Sequence, residues 1–523
     1  MTDSTEELLP GRPRENSRNS CSECSIPCRY SLAFFACLGF CVVYALRVNL
    51  SVALVAMVNS TYSNSNADSQ NPECGSSSGS SQSSKDGEFN WDQETQGVIL
   101  GSFFYGYIVT QLPGGWLASR YGGKHLFGLG VLCTSVFTLL TPIAARHSLG
   151  SLIALRVLEG LGEGVTFPAM HALWGSWAPP LERSKLVTLT YAGAQMGTII
   201  SLPISGILCG TDFLGGWPSV FYIFGAVGII WFIVWTLLVY DKPADHPRIS
   251  LEEKEYIISS IGKSQGIHQK EHFTPWYKIW TSHVVWAIII AHVCNNWGFY
   301  TFLTSLPSYF KEVLNFQITQ NGILSAVPYA AQYTIMILGG QLADWLRNER
   351  ISTTTEVRKV FTIGGLLAPA FLLVATSYTG CDDKALSVAL FSTALGITGL
   401  VSSGFNVNHL DIAPRYAGVL MGITNAFATI PGIAAPYVTG WITNNEPTRG
   451  QWQKVFYLSA FIYVIGAFCY TILGTGKEQS WNTPEDELLV HVDLPREERT
   501  PLPIFRNEEA PVGEDSHVKP AVV

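Results

Sequence analysis

The sequence predicts an all-α polytopic membrane protein with twelve transmembrane helices in two six-helix halves, and three observations predict it. Of its 523 residues, 47% are hydrophobic and 14% charged, against about 25% charged in soluble domains. Twelve apolar runs are long enough to cross a hydrocarbon core of about 30 Å, which takes about 20 helical residues. A polar stretch from Asp241 to Ser282 divides these runs six from six.

In order, the runs lie at 31–58, 94–117, 125–145, 150–174, 186–209, 217–240, 283–308, 320–346, 358–378, 385–408, 414–442 and 453–474. Gly and Pro within them are tolerable because neighbouring helices satisfy the freed backbone groups. Arg12, Arg14, Arg18 and Arg29 precede the first run. Lys242, Arg248, Lys254, Lys263, Lys270 and Lys278 lie between six and seven, and Arg347, Arg350, Arg358 and Lys359 between eight and nine. All fall on one side, which the positive-inside rule makes cytosolic, together with both termini. The first 28 residues are polar and lack the apolar segment of a cleavable signal, so the first run is expected to serve as its own insertion signal.

This divides the chain into a cytosolic tail (1–30), a first half (31–240, with a lumenal loop at 59–91), a central cytosolic loop (241–282), a second half (283–474) and an acidic tail (475–523). The last is read as disordered and supplies most of the net charge of −8, which therefore says little about substrate. No nucleic-acid partner is expected. In the lumenal loop, Gly75 to Lys85 reads as flexible linker, and Asn59-Ser60-Thr61 is a glycosylation sequon close to the membrane. Cys74, Cys209 and Cys381 lie toward the same face, where a disulfide is permitted and the pairing is open. Cys21, Cys24 and Cys28 are cytosolic without a second ligand pair, so no metal site is expected there, and palmitoylation is the alternative.

The six-plus-six division suggests duplication. Gly97, Gly115 and Ser119 recur as Gly322, Gly340 and Asp344, each 225 residues later. Paired six-helix halves around a midplane cavity are the architecture of the major facilitator superfamily. Its loop signature, Gly-x-x-x-Asp-Arg-x-Gly-Arg/Lys, is approached by Gly115-Trp-Leu-Ala-Ser119-Arg120-Tyr-Gly122-Gly-Lys124, with Ser119 in place of the acid. The second copy, Gly340-Gln-Leu-Ala-Asp344-Trp-Leu-Arg347, keeps it. Arg120, Asp344, Arg347 and, near the cytosolic end of the tenth run, Asp411 are the candidate gating residues.

Full charges interrupt two apolar runs. Arg47 lies well inside the first, too deep to reach an interface. It either pairs with an intramembrane Glu or clamps a substrate carboxylate with its planar fork, and the two roles could alternate. In the fourth run, Arg156, Glu159 and Glu163 stand three and four residues apart on one helical face. An ionisable group in hydrocarbon costs about 2.5–3.5 kcal/mol even on the lenient insertion scale, so such groups face protein or water and mark an ion or substrate path. Arg156 and Glu159 have the spacing of a local pair, which leaves Glu163 as the freer carboxylate and the first candidate for proton coupling. His171, farther along the same run, is a candidate relay. His292 and His409 could equally bond helices together.

Phe103-Phe104-Tyr105-Gly106-Tyr107 in the second run and Asn295-Asn296-Trp297-Gly-Phe-Tyr300 in the seventh mix aromatic surface with hydrogen-bonding groups. Such walls suit a polar ring bearing hydroxyls and an amide, although each aromatic alone is ordinary packing. With Arg47 and Tyr44, the residues Phe104, Tyr107, Asn296 and Tyr300 form the candidate substrate site.

Tyr44-Ala-Leu-Arg-Val-Asn-Leu-Ser-Val-Ala53, Gly101-Ser-Phe-Phe-Tyr-Gly-Tyr107, Leu158-Glu-Gly-Leu-Gly-Glu-Gly-Val-Thr-Phe-Pro-Ala-Met-His171, Trp177-Ala-Pro-Pro-Leu-Glu-Arg-Ser-Lys185 and Asn408-His-Leu-Asp-Ile-Ala-Pro414 closely resemble the anion/cation symporter family of the major facilitators. Its members include sialic acid carriers, vesicular glutamate carriers and sodium/phosphate-type organic anion carriers. The resemblance implies the major facilitator fold and proton-coupled export of sialic acid and related acidic sugars from lysosomes. It implies Arg47 as the carboxylate contact, Arg156, Glu159 and Glu163 in coupling, and protons as the coupling ion with no other cofactor. Glutamate carriers bear an Arg where this chain has Asn295 before Asn296-Trp297, which favours the sialic acid branch. The family's acidic dileucine address is matched imperfectly by Glu6-Glu7-Leu8-Leu9, with Ser4 where an acid is expected. Leu8 and Leu9 are thus the candidate contact for sorting adaptors, with synaptic vesicle and plasma membrane as alternative locations.

A potential-driven glutamate or aspartate carrier is the alternative function, and a nontransporting receptor is a third. A hydrolase is disfavoured because no nucleophile, base and orienting acid form a motif.

Overall fold

A computed structural model describes residues 26–59, 87–179, 182–266, 274–379, 383–444 and 448–482. The dileucine pair Leu8 and Leu9, the cysteines Cys74 and Cys381, and Ser60 and Thr61 of the sequon lie outside these residues. The fold is all-α. Its helices are α1 (Cys28–Met57), α2 (Gln93–Tyr121), α3 (Gly123–His147), α4 (Leu149–Gly164), α5 (Thr166–Trp177), α6 (Arg183–Cys209), α7 (Pro218–Leu238), α8 (Leu251–Gly266), α9 (Trp276–Thr281), α10 (His283–Glu312), α11 (Ile318–Asn348), α12 (Thr354–Ser377), α13 (Lys384–Ile397), α14 (Phe405–Ile412), α15 (Ala417–Thr443) and α16 (Arg449–Leu473). Each of the twelve apolar runs is helical, the fourth as α4 and α5 and the tenth as α13 and α14. Nine crossings are long and apolar enough to span a membrane on that ground alone, among the described residues. The other three, α2, α4–α5 and α10, carry most of the candidate site.

Several expected elements differ in detail. The fourth run was expected as one helix but breaks after Gly164. Pro168 explains this, because it has no N–H for the carbonyl four residues back and its ring clashes there. His171 is therefore on α5, a separate helix from Glu163. The central loop contains α8, whose Glu253 accepts hydrogen bonds from the backbone of Cys28 and Arg29 at 2.8 and 3.1 Å. Arg29 also donates from Nε to Glu182 at 2.9 Å and from Nη1 to Glu253 at 2.9 Å. The start of α1, the α5–α6 connection and α8 thus meet at the end that the basic residues mark as cytosolic. There the Arg29 hydrogen bond holds the Glu182 carboxyl below its ordinary pKa. Residues just beyond Gly474, expected to begin the disordered tail, also pack on this end: Gln479 N–H donates to the Ile412 carbonyl at 2.8 Å, and Trp481 is buried.

Each half has its own apolar core. One contains Phe40, Phe127, Trp174, Trp231 and Trp235, and the other Phe302, Tyr309, Phe391, Phe456 and Tyr463. Val48, Phe103, Phe104 and Tyr107 of the first half pack into the second core, so the seam is built by residues next to the charges. Along the seam, α2 runs against α15 and α6 against α11. Here the repeated glycines find their reason: a Cβ on Gly97 would stand 2.4 Å from the Pro436 carbonyl oxygen, and one on Gly322 would stand 2.6 Å from that of Leu202. Both contacts lie toward the non-cytosolic ends. Gln93 and Trp452 join there on Glu312, at 2.5 and 3.1 Å, and Lys311 donates to the Val55 carbonyl at 2.7 Å. Hydrogen bonds across the seam run from this end inward to Gln111.

Candidate functional site

Arg47 projects from α1 toward α4 because small residues let the helices close. A Cβ on Gly160 would lie 1.9 Å from the Phe103 carbonyl oxygen, so α4 and α2 touch backbone to backbone and bring Phe103 and Tyr107 beside the charges. Arg47 Nε donates to Glu163 Oε1 at 2.7 Å, and its Nη2 contacts the same oxygen. The guanidinium lies 4.6 Å from the Tyr44 ring centre, 4.7 Å from Tyr107 and 5.2 Å from Phe103. Arg47 is 6% exposed and Glu163 is 0%. Glu163 Oε2 has no hydrogen-bond partner among the described residues.

Glu163, expected as the freer carboxylate of its cluster, is instead the partner of Arg47, 116 residues away. The expectation failed because helical spacing registers only neighbours on one helix. The other two charges behave as their spacing predicts: Arg156 Nη1 donates to Glu159 Oε2. Glu159 Oε1 also accepts from Thr141 at 3.2 Å and Thr138 at 3.4 Å on α3. Thr138 and Thr141, three residues apart, were missed because hydroxyls in an apolar helix usually bond their own backbone, as both also do here. Phe103 has both guanidiniums 5.2 Å from its ring and links the two ion pairs.

The aromatic wall assembles across the seam. Phe104 meets Tyr300 of α10 edge to face at 4.6 Å. Arg47, Tyr44, Phe104, Tyr107 and Tyr300 therefore converge, and a small cavity lined by Arg47, Ser51, Phe103, Phe104, Arg156 and Thr304 continues toward the non-cytosolic side. Asn296 stands one turn along α10 from Tyr300, its Nδ2 donating to the Ala428 carbonyl at 3.0 Å. His171 is exposed on α5, its ring 5.4 Å from that of Tyr191, and no described contact joins it to the cluster.

Of the candidate gating residues, Arg347 and Asp411 come within 4.0 Å. The stronger partner of Asp411 is Arg358, at 2.6 Å from Nε. In sequence Arg358 is one of the charges that set the topology, yet it is 2% exposed and also donates to the Ser403 carbonyl at 2.7 Å, satisfying a backbone group freed between α13 and α14. Arg120 lies over the rings of Trp116 and Tyr121 on its own helix. Asp344 is exposed, with no ion pair among the described residues. Asn59 follows the end of α1, and its N–H donates to the Phe89 carbonyl at 2.9 Å.

A model of the Major Facilitator Superfamily matches residues 35–436. Sialin of Homo sapiens is 52% identical over 476 residues, 91% of this chain and 94% of that protein. Vesicular glutamate transporter 3 of Danio rerio is 43% identical over 493 residues, 92% of this chain and 80% of that protein. Among solved structures, a bacterial homolog to the human lysosomal transporter Spinster, in an inward-facing and occupied conformation, superposes with a TM-score of 0.64 at 15% identity, covering 86% of this chain and 97% of that one.

Proposed function

The chain belongs to the major facilitator superfamily, and from that premise we propose that it exports sialic acid and related acidic sugars across the lysosomal membrane, coupled to protons, by alternating access. The substrate and location follow the relatives named sialin, and Asn295 supports that branch over the glutamate carriers.

The observation that carries the mechanism is the buried Arg47–Glu163 pair. A buried guanidinium is expensive unless a carboxylate compensates it, and here two carboxylates can do so: Glu163 and the one on the substrate. An acidic lumen protonates Glu163, which withdraws its charge and leaves Arg47 to hold the sugar carboxylate. Opening to the near-neutral cytosol lets the proton leave, Glu163 reclaims Arg47, and the sugar loses its clamp. The pair as seen here, with the seam closed toward the lumen, corresponds to the state after release. Arg156 and Glu159 would keep the surroundings near neutrality while this exchange occurs, and His171 would relay the departing proton toward the cytosol. Arg120, Asp344, Arg347 and Asp411 would exchange partners at the cytosolic gate. Sorting adaptors would read Leu8 and Leu9, and Asn59 would carry a glycan.

The test is flux in proteoliposomes with separately imposed gradients. An acid interior should accelerate sialic acid efflux and a protonophore should abolish the acceleration. Flux that ignores the proton gradient would sink the coupling scheme, and voltage-driven glutamate uptake without sialic acid flux would favour the alternative carrier.

A further inference from the structure

The charged layer at Arg47 has a neutral layer beneath it. On α1 and α10, which rise from the cytosolic side, Tyr44 precedes Arg47 and Asn296 precedes Tyr300 by about one turn. On α2, which descends toward it, Gln111 follows Tyr107 by one turn. All three steps lead the same way, about 4.5–6 Å toward the cytosol. At this level α2 faces α15: Gln111 Oε1 accepts from Asn425 Nδ2 at 3.4 Å, and Gln111 Nε2 donates to Thr429 Oγ1 at 3.5 Å. Phe104 against Gly432, seven residues away on each helix, fixes this antiparallel register. Tyr44, Gln111, Asn296 and Asn425 are half-buried.

We propose that Gln111, with Asn425 and Asn296, forms the part of the substrate site that reads the N-acyl and hydroxyl groups of a sugar whose carboxylate is held by Arg47, which makes Gln111 a specificity-determining residue. The inference rests on the reading of Arg47 as carboxylate clamp. A primary amide offers two donors and an acceptor, the complement of an N-acyl group and its neighbouring hydroxyls. At 3.4 and 3.5 Å both contacts are longer than ordinary N–H···O hydrogen bonds of about 2.7–3.2 Å, so giving them up for a ligand costs little. Because Gln111 belongs to the first half and Asn425 to the second, a sugar held here is gripped by both halves. Sites that hydrogen-bond a substrate group discriminate strongly against analogues lacking it.

The test compares N-acetylneuraminic acid with glucuronic acid, which keeps carboxylate and ring hydroxyls but lacks the N-acyl and glycerol arms, in acid-loaded proteoliposomes of the full chain. Gln111→Leu is expected to raise the KM for N-acetylneuraminic acid about tenfold while leaving that for glucuronic acid within about twofold, a contrast of the size a lost ligand hydrogen bond gives. Asn425→Leu, on the facing helix, should reproduce the contrast and decides the matter if Gln111→Leu does not fold. An equal rise for both sugars, or no change for either, overturns the inference while leaving the carrier reading intact. Wild-type protein that moves neither sugar defeats the carrier reading itself.

Discussion

The two halves bury polarity in different currencies. The first half holds the full charges of the membrane's interior, Arg47, Arg156, Glu159 and Glu163, beside neutral site residues such as Gln111 and Tyr107. In the second, the corresponding interior positions are neutral: Asn296 and Asn425 beside Tyr300 and Thr429. The closest described arginine–carboxylate pair of the second half, Arg358–Asp411, is instead at the cytosolic end, where it mends the break between α13 and α14. Charges in hydrocarbon are costly, so their confinement to one half argues that proton handling and carboxylate capture are one task performed there. The amides between the halves, Gln111 with Asn296 and Asn425, can recognise a ligand without competing for the proton.

The largest effect should come from breaking the charged side. Arg47→Ala removes the cation that both carboxylates share, and sialic acid flux should fall about a hundredfold or more. Arg47→Lys should not restore it, because a point charge cannot reproduce the fork. Flux within tenfold of wild type in Arg47→Ala would remove the clamp. Glu163→Gln keeps the shape and deletes the titration. Acid-driven accumulation should drop on the order of tenfold while gradient-free exchange persists, whereas a retained response to acid would move the proton site elsewhere.

The second half should respond in stability rather than coupling. Asp411→Asn leaves Arg358 buried without a counter-charge, a loss of about 3–5 kcal/mol that thermal unfolding of the purified protein would register. The remaining transporters should keep their proton dependence. An unchanged melting temperature would show that the Ser403 carbonyl alone satisfies Arg358.

The smallest effect belongs to the partly exposed ion pair of Arg29 and Glu182 at the cytosolic end. Arg29 lowers the Glu182 pKa, so folded Glu182 titrates below its unfolded value of about 4.3. That contribution is complete above the unfolded value and is lost as pH falls through the folded one. Between pH 7 and about 5, wild type and Arg29→Ala should melt a small, constant interval apart, and the curves should converge on further acidification. Divergence in acid would contradict the pairing.

Much of this was legible because membrane burial simplifies reading. Few residue types are tolerated, so Arg47 and the Arg156-to-Glu163 cluster stood out against apolar runs, and their isolation pointed to function. The 225-residue offset of Gly97 and Gly322 pointed to duplication, whereas their place on the seam shows only in the contacts. Pairing was illegible. Nothing near Arg47 in sequence names Glu163, and the same holds for Arg358 with Asp411 or Arg29 with Glu182, because antiparallel packing decides those meetings. Gln111 on α2 and the pair Asn425 and Thr429 on α15 carry no signal in sequence, and only the register of α2 against α15 makes them a group. The break after Gly164 was the exception: Pro168 announced it, but the continuous apolar run hid the signal.

Backbone contact at Gly97 and Gly322 has a mechanical consequence. Where two helices meet through interlocked side chains, tilting one past the other must unseat every tooth. At these two crossings there is no tooth to unseat, since a carbonyl rests where a side chain would otherwise stand. They can act as paired bearings, smooth enough to roll on and too tight to admit even a methyl group, and the freedom of the halves to rock would then depend on atoms the sequence leaves out.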